Sequence, residues 1–139
     1  MNVAELLTRL ATHYNAIIRN FAQKQSLTCS QALLLLNIPF DGTTMSNLAY
    51  KLGIDNSTLT RNINKLNLLR LVSKKRDKYD KRIINVVITS EGKDVLSKLE
   101  KPLNEFNLSI LNHINIEDQN KTTELLEKLI WTMDCLRDR

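Results

Sequence analysis

One short spacing near the middle of the chain limits what the chain can fold into. Ala49 is followed four residues later by Gly53, and the apolar residues Ile54 and Leu59 come after it. The small alanine lets two crossing helices approach closely, and the glycine adopts the left-handed backbone that ends a helix in a sharp turn. The apolar residues then hold the two helices at a steep angle. With Thr44 as the cap of the first helix, the spacing predicts a helix-turn-helix motif.

The rest of the chain contains few residues that interrupt a helix. Only three Gly and two Pro occur among 139 residues. Apolar residues recur at helical spacing over about residues 3–25 and 91–113, and again after Asn115. Because glycine and proline mark most turns, their scarcity predicts a mostly helical chain. The length suits a single domain.

A β-hairpin with a basic tip is predicted directly after the helix-turn-helix motif. Residues 71–73 and 84–88 are β-branched runs that flank the segment KKRDKYDKR. Residues 61–82 contain nine Lys or Arg and two Asp, a local net charge of +7 in a chain whose total is +5. The predicted fold class is therefore mainly α with a small β-hairpin wing (α+β). It is a winged helix-turn-helix flanked by long N- and C-terminal helices.

The second helix of the motif, capped by Asp55 or Asn56, is predicted to contact double-stranded DNA. Leu59, Ile63 and Leu66 form its buried stripe. The opposite face carries short hydroxyls, amides and two cations, which read base edges and grip phosphates. A merely solvated face would favour the better helix formers Glu, Lys and Ala. The candidate DNA-binding residues are Thr44, Asn56, Ser57, Thr58, Thr60, Arg61, Asn64, Lys65, Lys74, Arg76, Lys78, Lys81 and Arg82.

The long amphipathic helices outside the winged helix predict a homodimer. A module of residues 28–89 is too small to cover the apolar stripes of residues 1–27 and 90–139. We therefore expect one domain over residues 1–139, in which those two segments form a helical dimerisation region. A dimer would place two recognition helices roughly 34 Å apart, one turn of B-DNA.

Several other classes of protein are not indicated by the sequence. No apolar run approaches the roughly 20 residues that span a bilayer, and the amphipathic N-terminus carries Glu5 and Arg9, so a cytoplasmic protein without a signal peptide is expected. A Gly-rich phosphate loop, a Ser/His/Asp set and a carboxylate pair are all missing, so we expect no enzyme and no cofactor. Cys29 and Cys135 lack the spacing of metal ligands, so no metal site is expected.

Two alternatives to a ligand-controlled DNA-binding protein remain open. Cys29 lies in the predicted first turn of a helix, where the dipole and free N–H groups can stabilise a thiolate, as a redox-responsive regulator would need. A small residue packed at a helix end fits Cys29 as well. The winged helix could also serve as a protein-interaction module, with its basic wing docking on an acidic partner.

The chain resembles the multiple antibiotic resistance regulator (MarR) family nearly end to end. The segment DNSTLTR from Asp55 to Arg61, the sequence Asp80-Lys81-Arg82 in the wing, and Thr89, Glu91 and Gly92 at the next helix start carry the resemblance. It implies a homodimeric winged-helix transcription regulator, usually a repressor of a pseudo-palindromic operator. Release by a small phenolic or similar aromatic ligand, or by oxidation, is also implied.

The resemblance implies roles for particular residues by their position. Ser57, Thr60 and Arg61 are expected in the major groove, and Arg82, with Lys81 beside it, in the minor groove. Asp80 is expected to orient an arginine, because a carboxylate facing phosphate would be repelled. Arg70 stands where the family usually has glycine, so it is expected in a left-handed conformation at a cost of roughly 1 kcal/mol.

Overall fold

A computed structural model of the chain describes residues 1–138 as six helices and three strands. The chain forms two compact units, one of residues 1–103 and one that begins at Asn104. The elements are α1 (Val3–Lys24), α2 (Cys29–Asn37), β1 (Thr43–Thr44), α3 (Met45–Leu52), α4 (Asn56–Leu68), β2 (Val72–Arg76), β3 (Ile84–Ile88), α5 (Ser90–Asn112) and α6 (Ile116–Arg137). The predicted fold class is confirmed. The expected domain extends to Arg139, which lies outside the described residues.

Side-chain caps fix where the helices begin. The Thr28 hydroxyl accepts a hydrogen bond from the Gln31 N–H at 3.2 Å, and the Gln31 side-chain oxygen accepts one from the Thr28 N–H at 3.0 Å. This reciprocal pair satisfies two backbone donors that a helix start otherwise leaves open. The caps of the later helices are Thr44 for α3, Asp55 for α4, Thr89 for α5 and Asn115 for α6. Asp55 rather than Asn56 is therefore the cap of the second helix of the motif.

The core of the first unit lies where α4 meets the helices before it and the sheet after it. Leu59, Ile63 and Leu66 are each 0% exposed, which confirms the predicted buried stripe. Burial of each such side chain contributes roughly 1.5–3 kcal/mol. Leu99 and Leu103 of α5 belong to the same cluster. The stripe fixes which side of α4 faces solvent.

The strands form one antiparallel sheet in the order β1-β3-β2. Val72 pairs with Ile88 and Arg76 with Ile84, so the predicted hairpin is present. We call β2, β3 and residues 77–83 between them the wing. β1, which the sequence did not predict, pairs Thr44 with Asn85. Because Thr44 also caps α3, this short strand attaches the first helix of the motif to the wing.

A left-handed residue ends α4 and directs the chain into the wing. Arg70 has a φ of 62°, the conformation expected from the resemblance. The Leu71 N–H donates to the Leu66 carbonyl and the Arg70 N–H to the Asn67 carbonyl, both at 3.0 Å. These two bonds form the Schellman motif, which pairs the last carbonyls of a helix and usually has glycine at the left-handed position. Here an arginine occupies it.

Arg70→Gly is expected to raise the free energy of unfolding by about 0.5–1 kcal/mol. The substitution removes the strain of a Cβ in the left-handed region, and the more flexible unfolded chain offsets part of the gain. Urea unfolding followed by circular dichroism measures the change. Asn67→Gly, at an exposed helical position three residues earlier, should lower stability instead. Equal losses for both variants would contradict the strain at Arg70.

The second unit contains the end of α5, a turn and α6. The Gln119 side chain donates to the carbonyls of Leu111 and Ile114, both at 2.8 Å, and so fixes the turn. No described residue of α6 is buried. Its apolar side chains are exposed instead, as their relative exposures show: Leu125 59%, Leu126 40%, Leu129 38%, Ile130 59%, Trp131 69%, Met133 43% and Leu136 60%. Among the described helices, none combines the length and apolar character of a membrane span.

Candidate nucleic-acid interface

The exposed side of α4 brings most of the candidate residues of that helix onto one surface. Because the apolar stripe is buried, the polar side of the helix faces solvent. A shallow cleft along it, which we call the α4 surface, is lined by Asn56, Ser57, Thr60, Arg61, Asn64, Lys65 and Leu68. The surface offers hydroxyl, amide and cationic groups, which can hydrogen-bond to base edges and phosphate oxygens.

Leu68 is the one residue of the α4 surface that the sequence did not predict. Its side chain is 83% exposed. A leucine carries no hydrogen-bonding group, so a search for polar side chains misses it. Its position four residues after Asn64 and seven after Arg61 puts it on the same helix face, and this spacing could have revealed it.

Thr58 does not line the α4 surface but contributes to the cap of the helix. Its N–H donates to one Asp55 carboxylate oxygen at 2.7 Å, and its hydroxyl donates to the other at 2.8 Å. These bonds, the backbone one first, hold the pKa of Asp55 below its ordinary value. The cap is therefore fully present above that ordinary value and is lost as the pH falls through the lowered pKa. At neutral pH the Asp55 cap at the start of α4 is therefore formed.

Two candidate residues bond to each other across the junction of α4 and the wing. The Lys74 ammonium donates to the Asn64 side-chain oxygen at 2.6 Å. Asn64 belongs to the α4 surface and Lys74 to β2. This charge-assisted bond links α4 to the first strand of the wing. Both side chains therefore have a structural contact in addition to any contact with a ligand.

Asp80 holds the guanidinium of Arg82. Arg82 Nε donates to Asp80 Oδ1 at 3.1 Å and Nη2 to Oδ2 at 3.0 Å. The Arg82 side chain is nevertheless 91% exposed. The side-chain bond from Arg82, followed by its backbone bond, lowers the pKa of Asp80, and the same pairing raises the pKa of Arg82. The pair is thus formed above the ordinary pKa of an aspartate and is lost only as the pH falls through the lowered one.

The other basic candidates of the wing have different surroundings. Arg76 Nη1 donates to the Lys81 carbonyl at 2.9 Å and so closes the base of the loop. Lys78 and Lys81 are exposed on either side of Tyr79 and Asp80. The wing therefore presents Lys78, Lys81 and Arg82 outward, while Arg76 also supports the hairpin.

A second cleft lies between the start of α3 and the base of the wing. Thr44, Met45, Ser46, Asn47, Arg82, Ile83 and Ile84 line it. The Thr44 hydroxyl accepts a hydrogen bond from the Asn47 N–H at 3.1 Å, so this candidate caps α3 as well as lining the cleft. Ser46 and Asn47, two polar residues beside Arg82, were not predicted. Their position in the first turn of α3, two and three residues after the Thr44 cap, could have indicated them.

The two cysteines are free thiols in half-buried positions. Cys29 lies in the first turn of α2, where the sequence placed it, with its sulfur 3.7 Å from the Asn15 carbonyl oxygen of α1. Cys135 lies near the end of α6. Within residues 1–138, no group of three or more His, Cys, Asp or Glu is arranged to hold a metal ion.

Comparisons with known proteins agree with this geometry. The family model described as transcriptional regulator SarA/Rot matches residues 16–99. The HTH-type transcriptional regulator YdgJ of Bacillus subtilis is 27% identical over 97 residues, which are 70% of this chain and 59% of that protein. The chain thus matches about three-fifths of the length of this relative.

Solved structures show the same fold. A MarR protein from Peptoclostridium difficile is 25% identical, with a TM-score of 0.83 over 99% of this chain and 90% of that one. A MepR variant from S. aureus, bound to an oligodeoxyribonucleotide, is 18% identical, with a TM-score of 0.63 over 96% of this chain and 99% of that one. These similarities confirm the resemblance to MarR regulators that the sequence indicated.

Proposed function

This chain belongs to the SarA/Rot family of transcriptional regulators, and we propose that it binds a pseudo-palindromic operator in double-stranded DNA as a homodimer. In the proposed complex, α4 lies in the major groove and the wing in the minor groove of each half-site. The observation that best supports this function is the α4 surface, because six candidate side chains that read bases or grip phosphates line it together.

The wing supports the proposal through its charge and its geometry. Arg82 is exposed, yet Asp80 binds one edge of its guanidinium through Nε and Nη2, so its orientation is restricted before DNA arrives. Restricting a long side chain in advance reduces the entropy that binding would otherwise cost. The narrow minor groove attracts arginine strongly. We therefore assign Arg82 to the minor groove, with Lys81 on the adjacent phosphates and Asp80 as the orienting group.

Exposed apolar side chains support the homodimer. In the first unit, Leu6 and Leu10 of α1 are 51% and 53% exposed. In the second unit, no described residue of α6 is buried. A helix this apolar needs a partner, and a second copy of the chain would also provide the second recognition helix. We therefore assign residues 28–89 to the DNA-binding module and residues 1–27 and 90–139 to dimerisation.

The resemblance to MarR regulators supports the finer part of the proposal. We infer a cytoplasmic repressor that a small phenolic or other aromatic ligand releases from its operator. Transcription from an operator-bearing promoter, measured with and without the protein, tests the sign of regulation. A rise in transcript on addition of the protein would show an activator instead.

Substitutions on α4 and on the wing should affect DNA binding differently. Arg61→Ala is expected to relax sequence preference at one base pair of each half-site, at a cost of about 1–3 kcal/mol there. Lys81→Ala and Arg82→Ala should weaken binding to all sequences and reduce the slope of log affinity against log salt by about one. Fluorescence anisotropy with an operator selected from genomic fragments, titrated at several salt concentrations, measures both effects.

The control for these variants is Lys98→Ala on α5. It removes one positive charge at an exposed position that lies outside the α4 surface and the wing. Its salt slope and sequence preference should equal those of the parent. If Arg61→Ala and Arg82→Ala also behave like the parent on a bound operator, these residue assignments are wrong. If the parent shows no preference among duplexes, the proposed function itself is wrong.

A further inference from the structure

Tyr79 lies at the tip of the wing, and its ring has no role in the fold of the first unit. Its side chain is 99% exposed, more than any other large hydrophobic residue described. A ring that contacts so little protein contributes almost nothing to burial. Single exposed apolar residues are common, however, so exposure alone does not indicate a role. The hydrogen bonds and the charges around the ring indicate one.

The loop that carries Tyr79 is held by a closed set of hydrogen bonds. The Asp77 carboxylate accepts from the N–H of Tyr79 at 2.8 Å and from the N–H of Asp80 at 3.0 Å. The Asp77 N–H donates to the Ile83 carbonyl at 2.9 Å, and the Ile83 N–H donates to the Asp80 carbonyl at 3.0 Å. The backbone beneath the ring is therefore fixed. A ring presented from a fixed backbone binds with a smaller loss of entropy than one on a mobile loop.

The charge around Tyr79 determines what could bind there. Lys78 precedes it, Lys81 and Arg82 follow it within three residues, and all three are exposed. A polyanion drawn to these cations would come into contact with the ring. A phenol adds an apolar face and a hydroxyl, which suit the sugar walls and base edges of a groove better than a phosphate. The tip thus combines cations that can bind DNA phosphates with an aromatic side chain that can enter a DNA groove.

We propose that Tyr79 is a specificity-determining residue that distinguishes A·T from G·C pairs in the minor groove at the tip of the wing. This inference rests on the proposed function, which places the wing in that groove. The minor groove is about 6 Å wide, and its floor at A·T pairs shows only the acceptors adenine N3 and thymine O2. The phenol hydroxyl can donate to these acceptors. At G·C pairs the guanine 2-amino group projects from the floor and obstructs the ring.

Base analogues in the operator test this reading. Hydroxyl-radical protection of the parent complex identifies the A·T pair under the wing, which is then replaced by G·C or by inosine·C. Inosine lacks the 2-amino group and keeps the minor-groove acceptors. The parent should bind the G·C operator about 5- to 30-fold more weakly and recover its affinity on inosine·C. Tyr79→Ala should bind all three duplexes with similar, reduced affinity.

Two matched variants separate the ring from the charge and from the fold. Tyr79→Phe keeps the ring and loses the hydroxyl, so its affinity for the A·T operator should lie between those of the parent and Tyr79→Ala. Lys78→Ala should lower the salt slope by about one and keep the ratio of affinities for A·T and G·C operators. Each variant should keep the thermal midpoint of the parent, since neither side chain is buried.

The outcomes distinguish this inference from the proposed function. If the parent selects no operator among duplexes, the proposed function fails. If the parent binds its operator but shows no difference among the three base pairs, the inference about Tyr79 is overturned and the proposed function stands. The same holds if Tyr79→Ala retains the preference of the parent for A·T and inosine·C over G·C.

Discussion

Gly92→Ala is expected to lower the free energy of unfolding by at least about 3 kcal/mol, or to prevent folding. A Cβ atom at this position would lie 2.0 Å from the Leu71 carbonyl oxygen and 2.6 Å from Ile88 Cγ2. Both distances are well inside van der Waals contact. The nearest obstacle is backbone, so a change of side-chain rotamer cannot relieve the clash. Helix α5 would have to move away from the sheet. Urea unfolding followed by circular dichroism measures the loss.

Gly53→Ala provides the control for this prediction. Gly53 has a φ of 65°, so an alanine there meets left-handed strain of roughly 1 kcal/mol. Gly53→Ala should therefore destabilise the protein much less than Gly92→Ala does. Helix propensity alone would give the opposite order, because Gly92 lies within a helix, where alanine is the better helix former. If Gly92→Ala unfolds at the same urea concentration as the parent, α5 does not begin against Leu71.

The contacts around Gly92 also explain how the start of α5 is tied to the DNA-binding module. The Thr89 hydroxyl donates to the Arg70 carbonyl at 2.6 Å and accepts from the Gly92 N–H at 3.0 Å. The Thr89 N–H donates to the Leu71 carbonyl at 3.1 Å. One threonine therefore joins the end of α4, the end of β3 and the first turn of α5. The sequence predicted Ser90 or Thr89 as the cap of this helix and marked Gly92 through resemblance, and the structure gives the physical reason for Thr89 and Gly92.

Features with a local cause could be predicted from the sequence. The buried stripe of α4 has a period of 3.6 residues, and Gly53 ends α3 through a conformation that depends on its own backbone. Arg70 was placed in the left-handed region through the resemblance, because the family usually has glycine at that position. For the buried stripe and for Gly53, the neighbouring residues carry the whole signal, so no knowledge of distant contacts was needed.

Features that depend on contacts between elements could not be predicted. β1 has two residues, too few for any periodicity to appear. Asn64 and Lys74 were each taken as DNA contacts, and their bond to each other depends on how β2 lies against α4. Thr58 is a different case, because it was taken as a candidate DNA contact by its residue type while its hydroxyl bond to Asp55 is local to the cap of α4. Residue type gives the capability of a side chain, and only the fold determines which partner it has.

The apolar side of α6, in contrast, is a local pattern that the sequence shows. The surface that covers it is proposed to be a second copy of the chain. Leu126 and Ile130 are one helical turn apart, and they are 40% and 59% exposed. In the proposed dimer these side chains are covered by the second copy. A single 22-residue helix without buried residues has little to stabilise it in water, so dimerisation should also keep α6 folded.

The double substitution Leu126→Lys and Ile130→Lys is therefore expected to produce a monomer that binds the operator at least about 100-fold more weakly. Two ammonium groups cannot be buried in an apolar interface, and a monomer loses the second recognition helix and its contribution to avidity. Analytical ultracentrifugation measures the mass, and anisotropy measures the affinity. Lysine is chosen because added positive charge should by itself strengthen DNA binding. A loss of affinity therefore cannot come from charge repulsion.

Glu127→Lys is the matched control, because it raises the net charge by the same two units at an exposed polar position of α6. It should remain a dimer and bind the operator at least as tightly as the parent. A double variant that stays dimeric with the affinity of the parent would exclude α6 from the interface. A double variant that becomes monomeric without losing affinity would show that one copy suffices for operator binding. That result would retain the α4 surface and the wing as the site and remove the two-fold operator from the proposal.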